Sequence, residues 1–150
     1  MTPQLPIDEL VELSLNYMKP NPKLIRITTV PISLKILLKG QLKFMSKFFE
    51  VIGVSASGEE LAEVQNREGI RVKSIEMTRE ITPFQDLISL VQMIQFLRKE
   101  QPTIVHTHTP KAGIIGMLAA KIAGVSVRIH TVAGLPLMEA TGMKRIILNA

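Results

Sequence analysis

Two of the chain's three histidines lie two residues apart, at the end of an apolar stretch typical of a β-strand. The segment reads TIVHTHTPKAGIIG over residues 103–116 and contains His106 and His108. Side chains two apart on a strand point to the same face, so we expect both imidazoles on one side of a sheet. Imidazole serves as a metal ligand, as a general acid or base, and as a hydrogen-bonding group. The pair is therefore a candidate functional site.

Three interpretations of the histidine pair are open from the residues alone. A zinc site needs a third protein ligand, but only His130 remains, and the nearby strand ends carry no Asp or Glu. In a structural interpretation, the two rings hydrogen-bond to neighbouring carbonyl groups. In a binding site for a polar ligand, the ring N–H groups bind hydroxyls or phosphate. We favour the last interpretation and expect no metal.

The residues after the histidines extend such a site. Thr109 ends the apolar stretch, Pro110 opens a helix, and Lys111 lies at the start of that helix. The free N–H groups of a helix start favour an anion or a sugar hydroxyl. Gly113 and Gly116 allow a ligand or another backbone to come close.

The pattern of the whole chain indicates how these residues are positioned. From Lys23 onward, strand-like runs alternate with helical periods over residues 24–30, 50–56, 70–77, 103–109 and 127–133. This alternation predicts an α/β fold: a Rossmann-like, doubly wound, mostly parallel sheet of about five strands in three layers. In such sheets ligands bind outside the carboxyl ends of the strands, where the strand order reverses. The first and fourth strands flank that point, so the histidines should border a cleft.

Helical periods separate the predicted strands, and proline or glycine residues mark their ends. The helical segments cover residues 32–49, 58–68, 84–100, 111–124 and a last stretch from about Met143. Residues 1–22 are expected to form a leader with a short helix, whose apolar side carries Ile7, Leu10, Val11 and Met18. Residues 23–150 form one domain, which we expect to be truncated at its C-terminal end. Its sheet edge near residues 127–133 is then uncovered.

A stripe of basic residues marks the predicted helix over 32–49. Four lysines recur at intervals of four residues: Lys35, Lys39, Lys43 and Lys47. At about 100° per residue they span an arc of about 120°, and the opposite side, including Phe44 and Phe48, is expected to pack on the sheet. Two interpretations are open: a solvated face, or a cationic face that contacts anionic lipid or an anionic ligand. Nucleic acid is not expected, because no aromatic residues interleave with the lysines on the basic face of this predicted helix.

Composition excludes several other classes of protein. The chain has no cysteine, so it has neither disulfides nor thiolate metal sites. Its net charge is +5, its N-terminus does not resemble a secretory signal, and no uncharged apolar run is long enough to span a bilayer. We expect the protein to be cytoplasmic and peripheral on the inner membrane. The sequence contains no G-x-G-x-x-G motif after the first strand, no P-loop and no G-x-S-x-G motif.

Three stretches together resemble a known family: ITTVPISLKILLKGQLKFM, PTIVHTHTPKAGIIGMLAAKIAGV and VRIHTVAGLPL. From about residue 23 to the end, the chain is similar to the N-terminal domain of bacterial family-4 glycosyltransferases of the capsule and polysaccharide type. The resemblance implies a retaining GT-B enzyme with two Rossmann-like domains and no metal or cofactor. The N-terminal domain of such an enzyme mainly holds a lipid-linked or saccharide acceptor. A second domain holds the nucleotide-sugar, which is the donor substrate.

The resemblance also implies which residues bind the acceptor or its sugar: His106, His108, Thr109, Lys111, Gly113 and Gly134. The chain departs from the family at two places. Many relatives have a histidine where this chain has Ala133, so no catalytic residue is identified. Residues 31–34 replace the glycine-rich turn that often follows the first strand.

Taken with its length, the resemblance predicts a domain that transfers no sugar without the donor domain. Two alternatives from other classes are open: a non-catalytic α/β interaction module and a nucleotide-binding regulatory domain. Self-association through the uncovered sheet edge is a further expectation.

Overall fold

A computed structural model describes residues 6–17 and 20–132 of the chain. Within these residues, helices and strands alternate along the sequence. In chain order they are α1 (Ile7–Tyr17), β1 (Lys23–Ile27), α2 (Pro31–Leu37), α3 (Gln41–Met45), β2 (Glu50–Ser55), α4 (Glu59–Glu68), β3 (Arg71–Ser74), α5 (Pro83–Glu100), β4 (Ile104–Thr107), α6 (Pro110–Ala123) and β5 (Val127–His130). All five predicted strands are present, each shorter than the run that predicted it.

The strands form one parallel sheet in the order β3-β2-β1-β4-β5. The chain begins the sheet at its central strand, β1, and builds outward to β3. It then returns to the other side of β1 with β4, so the strand order reverses between β1 and β4. The doubly wound α/β prediction is confirmed, and the expected ligand-binding edge lies where β1 and β4 end.

Helices cover both faces of the sheet, and side chains of β1 alternate between the two cores. Ile25 and Ile27 belong to the core beneath α5 and α6, whereas Leu24 belongs to the core beneath α2, α3 and α4. Because successive side chains of a strand point to opposite faces, Arg26 enters the same side as Leu24. This arginine is only 4% exposed.

The single helix predicted over residues 32–49 is wrong. The chain breaks at Gly40, which has a φ of +77°, a left-handed conformation that glycine adopts without steric cost. The side chain of Glu68 stabilises the break by accepting hydrogen bonds from the backbone N–H groups of Gly40 and Lys43, both at 2.9 Å. As a result, Phe44 and Phe48 are exposed rather than packed on the sheet.

Other predicted boundaries agree with the structure. Gly69 and Gly124 end α4 and α6 in the left-handed conformation, with φ of +67° and +79°. Pro110 begins α6, as expected from its fixed φ and missing N–H. The third strand is exposed along most of its length, which fits its alternating sequence and its place at the edge of the sheet.

Two predicted regions are only partly described. Helix α1 forms within the predicted leader, and its apolar residues Ile7, Leu10 and Val11 are exposed. Met18, Gly134 and the helix predicted from about Met143 lie outside the described residues.

Candidate functional site

A small cavity lies where β1 and β4 end, at the point of strand-order reversal. Its volume is about 300 Å³, and its lining residues are Thr29, Ser33, Arg79, Thr109, Pro110 and Lys111. Hydroxyl, guanidinium and ammonium groups are hydrogen-bonding partners for sugar hydroxyls and phosphate.

Two threonines join the two sides of this crevice. The backbone N–H of Thr29 donates to Thr109 Oγ1 at 2.8 Å, and the two hydroxyl oxygens are 2.6 Å apart. Thr29 Oγ1 also accepts from the backbone N–H of Ala112, in the first turn of α6, at 3.2 Å. Thr109 therefore lies in the crevice as predicted, and Thr29 is a crevice residue that the sequence did not single out. One N–H group of the α6 start, expected to be free, is used internally.

The two histidines lie together on the same side of the sheet, and neither is among the residues that line the cavity. Their ring centroids are 4.1 Å apart, with the planes tilted by 35°. His106 is partly exposed, and its Nε2 lies 2.7 Å from Thr131 Oγ1. His108 is only 7% exposed, and its backbone N–H donates to the carbonyl of Ile27. His106 is thus the ring that solvent or a ligand reaches more readily.

Arg26 completes this cluster and was missed by sequence reasoning. Its Nε–H donates to His108 Nε2 at 2.9 Å, and its Nη2 donates to Gln41 Oε1 at 3.2 Å. Gly53 lies opposite Arg26 on β2, and the residue opposite on β4 is His106. The only signal in the sequence was a single arginine within an otherwise apolar strand.

The cluster keeps both imidazoles neutral. Burial lowers the pKa of His106 to about 4, and the nearby charge of Arg26 acts in the same direction. Burial also lowers the pKa of His108 to about 3, again with a contribution from Arg26. Burial lowers the pKa of Arg26 as well, although a guanidinium stays charged at any physiological pH. The site therefore presents neutral rings beside one permanent cation.

The ammonium group of Lys111 is bound by two other residues of the chain. Its Nζ lies 2.6 Å and 2.8 Å from the two carboxylate oxygens of Asp86 and also donates to the carbonyl of Glu80. This hydrogen bond holds the pKa of the Asp86 carboxyl below its usual range. Lys111 lines the cavity, but its charge joins the N-terminal ends of α5 and α6. The expectation that Lys111 binds the acceptor or its sugar stays a prediction.

Gly113 also has a structural explanation. A Cβ atom built on Gly113 would lie 2.5 Å from Cε1 of His130, and one on Gly116 would lie 2.6 Å from Cγ2 of Thr107. These glycines allow α6 to pack closely on β4 and β5. The ring of His130 fills the space beside Gly113. The expectation that Gly113 binds the acceptor stays a prediction.

The four lysines of the predicted stripe do not lie on one helix. Lys35 is on α2 and forms an ion pair with Glu63. The exposed Lys39 lies between α2 and α3, just before the break at Gly40, whereas the exposed Lys43 and Lys47 lie on α3 and just after it. The ammonium of Lys47 lies 5.6 Å from the centre of the Phe44 ring. Cations and exposed aromatic rings therefore share the surface around α3.

No set of three or more His, Asp or Glu side chains within residues 6–17 and 20–132 is arranged to hold a metal ion. In the same ranges, none of the helices has both the length and the apolar character needed to cross a membrane.

Comparison with known proteins identifies the family to which this chain belongs. Residues 33–149 of the 150 match the profile of a family described as glycosyl transferase 4-like. The chain belongs to the glycosyl transferase 4-like family. The resemblance to bacterial family-4 glycosyltransferases of the capsule and polysaccharide type is thereby confirmed.

Two curated relatives carry specific names. This glycosyl transferase 4-like chain is 41% identical over 129 residues to the capsular polysaccharide biosynthesis glycosyltransferase CapM of Staphylococcus aureus, covering 85% of the chain and 33% of the relative. It is 42% identical over 72 residues to a UDP-Gal:alpha-D-GlcNAc-diphosphoundecaprenol alpha-1,3-galactosyltransferase of Escherichia coli, covering 48% and 18%. The chain spans about a third or less of the length of these relatives.

A solved glycosyltransferase from Rickettsia africae has the same fold over most of this glycosyl transferase 4-like chain. The TM-score is 0.61 at 15% identity, covering 83% of the chain and 34% of the solved protein. At this identity the likeness supports the Rossmann-like fold alone.

Proposed function

We propose that this chain is the acceptor-binding part of a retaining glycosyltransferase. The enzyme would transfer a hexose from a nucleotide-sugar to a lipid-linked or polysaccharide acceptor. The observation that carries the proposal is the crevice at the strand-order reversal of a glycosyl transferase 4-like chain, which Thr29, Ser33 and Thr109 help to line. The names of the relatives support the acceptor class, since one of them names a sugar linked to diphosphoundecaprenol.

The groups around the crevice suit a carbohydrate. The hydroxyl-bearing residues Thr29, Ser33 and Thr109 line the cavity. Sugars are bound through many neutral hydrogen bonds, each worth about 0.5–1.5 kcal/mol in net terms. Arg79 is the cation of the cavity lining whose exposed position suits a phosphate group of the acceptor. These residues bind and orient, and no catalytic residue is assigned among them.

We expect the nucleotide-sugar to be held mainly by residues outside this chain, without a metal or other cofactor. The 150 residues alone should therefore transfer no sugar.

The test is a calorimetric titration of the whole chain with two ligands: UDP-galactose and a short-chain, soluble lipid-diphosphate GlcNAc. We expect the second to bind and the first not to bind. Thr109→Val should weaken acceptor binding by about three- to tenfold, because one crevice hydroxyl is lost. Thr103→Val is the matched control, because Thr103 is exposed just before β4, at the opposite end of that strand.

Two results would contradict the proposal. One is unchanged acceptor binding by Thr109→Val, provided that circular dichroism shows both variants folded. The other is turnover of UDP-galactose by the chain alone, which would place the donor site within these residues.

We also propose that the surface around α3 contacts anionic lipid at the cytoplasmic face of the membrane. Exposed Phe44 and Phe48 lie beside exposed Lys39, Lys43 and Lys47. Aromatic rings favour the membrane interface, and lysines near an anionic surface each contribute about 1 kcal/mol. A membrane position would bring the crevice to a lipid-linked acceptor.

A further inference from the structure

The buried guanidinium of Arg26 is paired with neutral groups. Within residues 6–17 and 20–132, its recorded partners are the ring nitrogen of His108 and the side-chain oxygen of Gln41. Burying a charge is costly, and proteins usually offset the cost with a carboxylate. Arg26 is retained here without a carboxylate partner among the described residues. This suggests that the contact between its guanidinium and the imidazole of His108 has a role beyond packing.

The direction of this hydrogen bond determines where the proton of His108 resides. A guanidinium has five donor hydrogens and no acceptor, so Arg26 Nε can only donate. Nε2 of His108, at 2.9 Å, must therefore carry the lone pair. A neutral imidazole has one N–H group, which must then be on Nδ1. If the imidazole of His108 were cationic, its Nε2–H would point at the Nε–H of Arg26, and two donors would face each other.

We propose that Arg26 is a positioning residue that fixes His108 as its neutral Nδ1–H tautomer. The ring of His108 then has one remaining donor, with a direction set by the strand and by Arg26. Under the function proposed above, on which this second step rests, that donor binds a hydroxyl of the acceptor. The tautomer itself follows from the contact with Arg26 and is independent of any ligand.

The other groups around His108 support a neutral ring. His106 packs against it at 4.1 Å between centroids, and the charge states of Arg26, His106 and His130 bear on its protonation. From α3, Gln41 contributes a neutral amide. The carboxylate of Glu68 at the start of α3 is used by the N–H groups of Gly40 and Lys43 and by Arg67.

The chain's three histidines make the proposal directly measurable. Long-range ¹H–¹⁵N NMR on the full chain, labelled with ¹⁵N-histidine, distinguishes protonated from unprotonated ring nitrogens. We expect His108 to show a protonated Nδ1 and an unprotonated Nε2 at neutral pH. We also expect this pattern to persist as the pH falls to about 5, below the ordinary histidine pKa of about 6.5. A protonated Nε2 in the unmodified chain would overturn the proposal without any variant.

Variants separate the effect of the donor from that of burial. Arg26→Met removes both the charge and the donor, and should raise the pKa of His108 by at least about one unit and release the tautomer. Arg26→Lys keeps the charge and a group that can only donate, so it should retain the tautomer that Arg26→Met releases. Arg98→Met, at an exposed arginine of α5, is the matched control and should leave the His108 signals unchanged.

The outcomes distinguish this inference from the proposed function. A fixed tautomer that Arg26→Met leaves in place would show that the surroundings, rather than Arg26, select it, and would overturn the inference. If the tautomer depends on Arg26 but the lipid-diphosphate GlcNAc does not bind, the positioning inference stands and the proposed function falls. If the acceptor does bind, Arg26→Met should weaken it by about three- to tenfold, the equivalent of one hydrogen bond.

Discussion

The guanidinium of Arg26 and the imidazoles of His106 and His108 form one cluster. The guanidinium is permanently charged, and both imidazoles stay neutral at neutral pH. The chemistry follows from burial and from the absence of any acceptor on arginine. Sequence reasoning identified the two histidines and their common side of the sheet from their spacing. It missed Arg26 because the partner of a strand residue depends on register with β4, and the two residues are 82 positions apart.

The suppressed charges make the stability of the protein depend on pH. The pKa values of His106 and His108 in the folded state, about 4 and about 3, lie below the ordinary value of 6.5. As the pH falls below about 6.5, the unfolded chain therefore takes up protons that the folded chain refuses, and unfolding is favoured. The stabilisation is complete above about pH 6.5 and declines until the pH reaches the lower of the two folded values, about 3.

Urea unfolding followed by circular dichroism at about pH 7.5, 6 and 5 measures this decline. The free energy of unfolding should fall less with pH in His106→Gln/His108→Gln than in the unmodified chain. Buried or paired carboxyls such as Glu68 and Asp86, whose pKa values are lowered, lose their stabilisation only below the ordinary carboxyl range of about 4. Equal slopes for the two proteins would show that the histidines titrate normally.

At the scale of elements, the packing of α6 on β4 and β5 explains residues that the sequence assigned to ligand binding. Gly113 and Gly116 approach the sheet, and Lys111 joins α6 to Asp86 on α5. The sequence predicted the start and end of α6 from Pro110 and Gly124, because these signals are local. It did not distinguish glycine that approaches a ligand from glycine that approaches a strand, since that depends on which side chains lie opposite.

Gly116→Ala tests this packing. In a helix, alanine is normally more favourable than glycine by up to about 1 kcal/mol. Here the added Cβ would lie 2.6 Å from Thr107, a fully buried side chain on β4, so we expect a loss of about 1–3 kcal/mol instead. Chemical denaturation of both proteins measures the change. Gly113→Ala should cost less, because the ring of His130 lies on an edge strand and is able to turn away. A stabilising Gly116→Ala would refute the close-packing explanation.

At the scale of the whole molecule, the net charge is +5, and three exposed lysines are grouped on the surface around α3. The lysine period predicted a cationic surface, and exposed Lys39, Lys43 and Lys47 remain there. The sequence did not reveal the break at Gly40, because a single glycine within a helical period is often tolerated. That break exposes Phe44 and Phe48 beside the lysines. The parallel order of the strands, by contrast, was predictable from alternation and short connections.

Vesicle binding tests whether this surface meets a membrane. Replacing Lys39, Lys43 and Lys47 with glutamine should weaken binding to vesicles containing anionic lipid by about 3 kcal/mol, or roughly a hundredfold. A control with Lys73, Lys99 and Lys121 replaced has the same net charge and alters exposed lysines on β3, α5 and α6. Co-sedimentation with vesicles measures both. Equal losses would indicate that total charge, rather than this surface, governs binding.

The two sides of the crevice come from opposite ends of the domain sequence, since Thr29 and Thr109 are separated by 80 positions. A chain growing from its N-terminus therefore completes β1, β2 and β3 while one side of β1 still awaits β4. During synthesis, the apolar central strand has an unpaired flank that invites aggregation or capture by a chaperone. The crevice is consequently among the last features to form, and a nascent chain shorter than about 110 residues lacks one of its two sides.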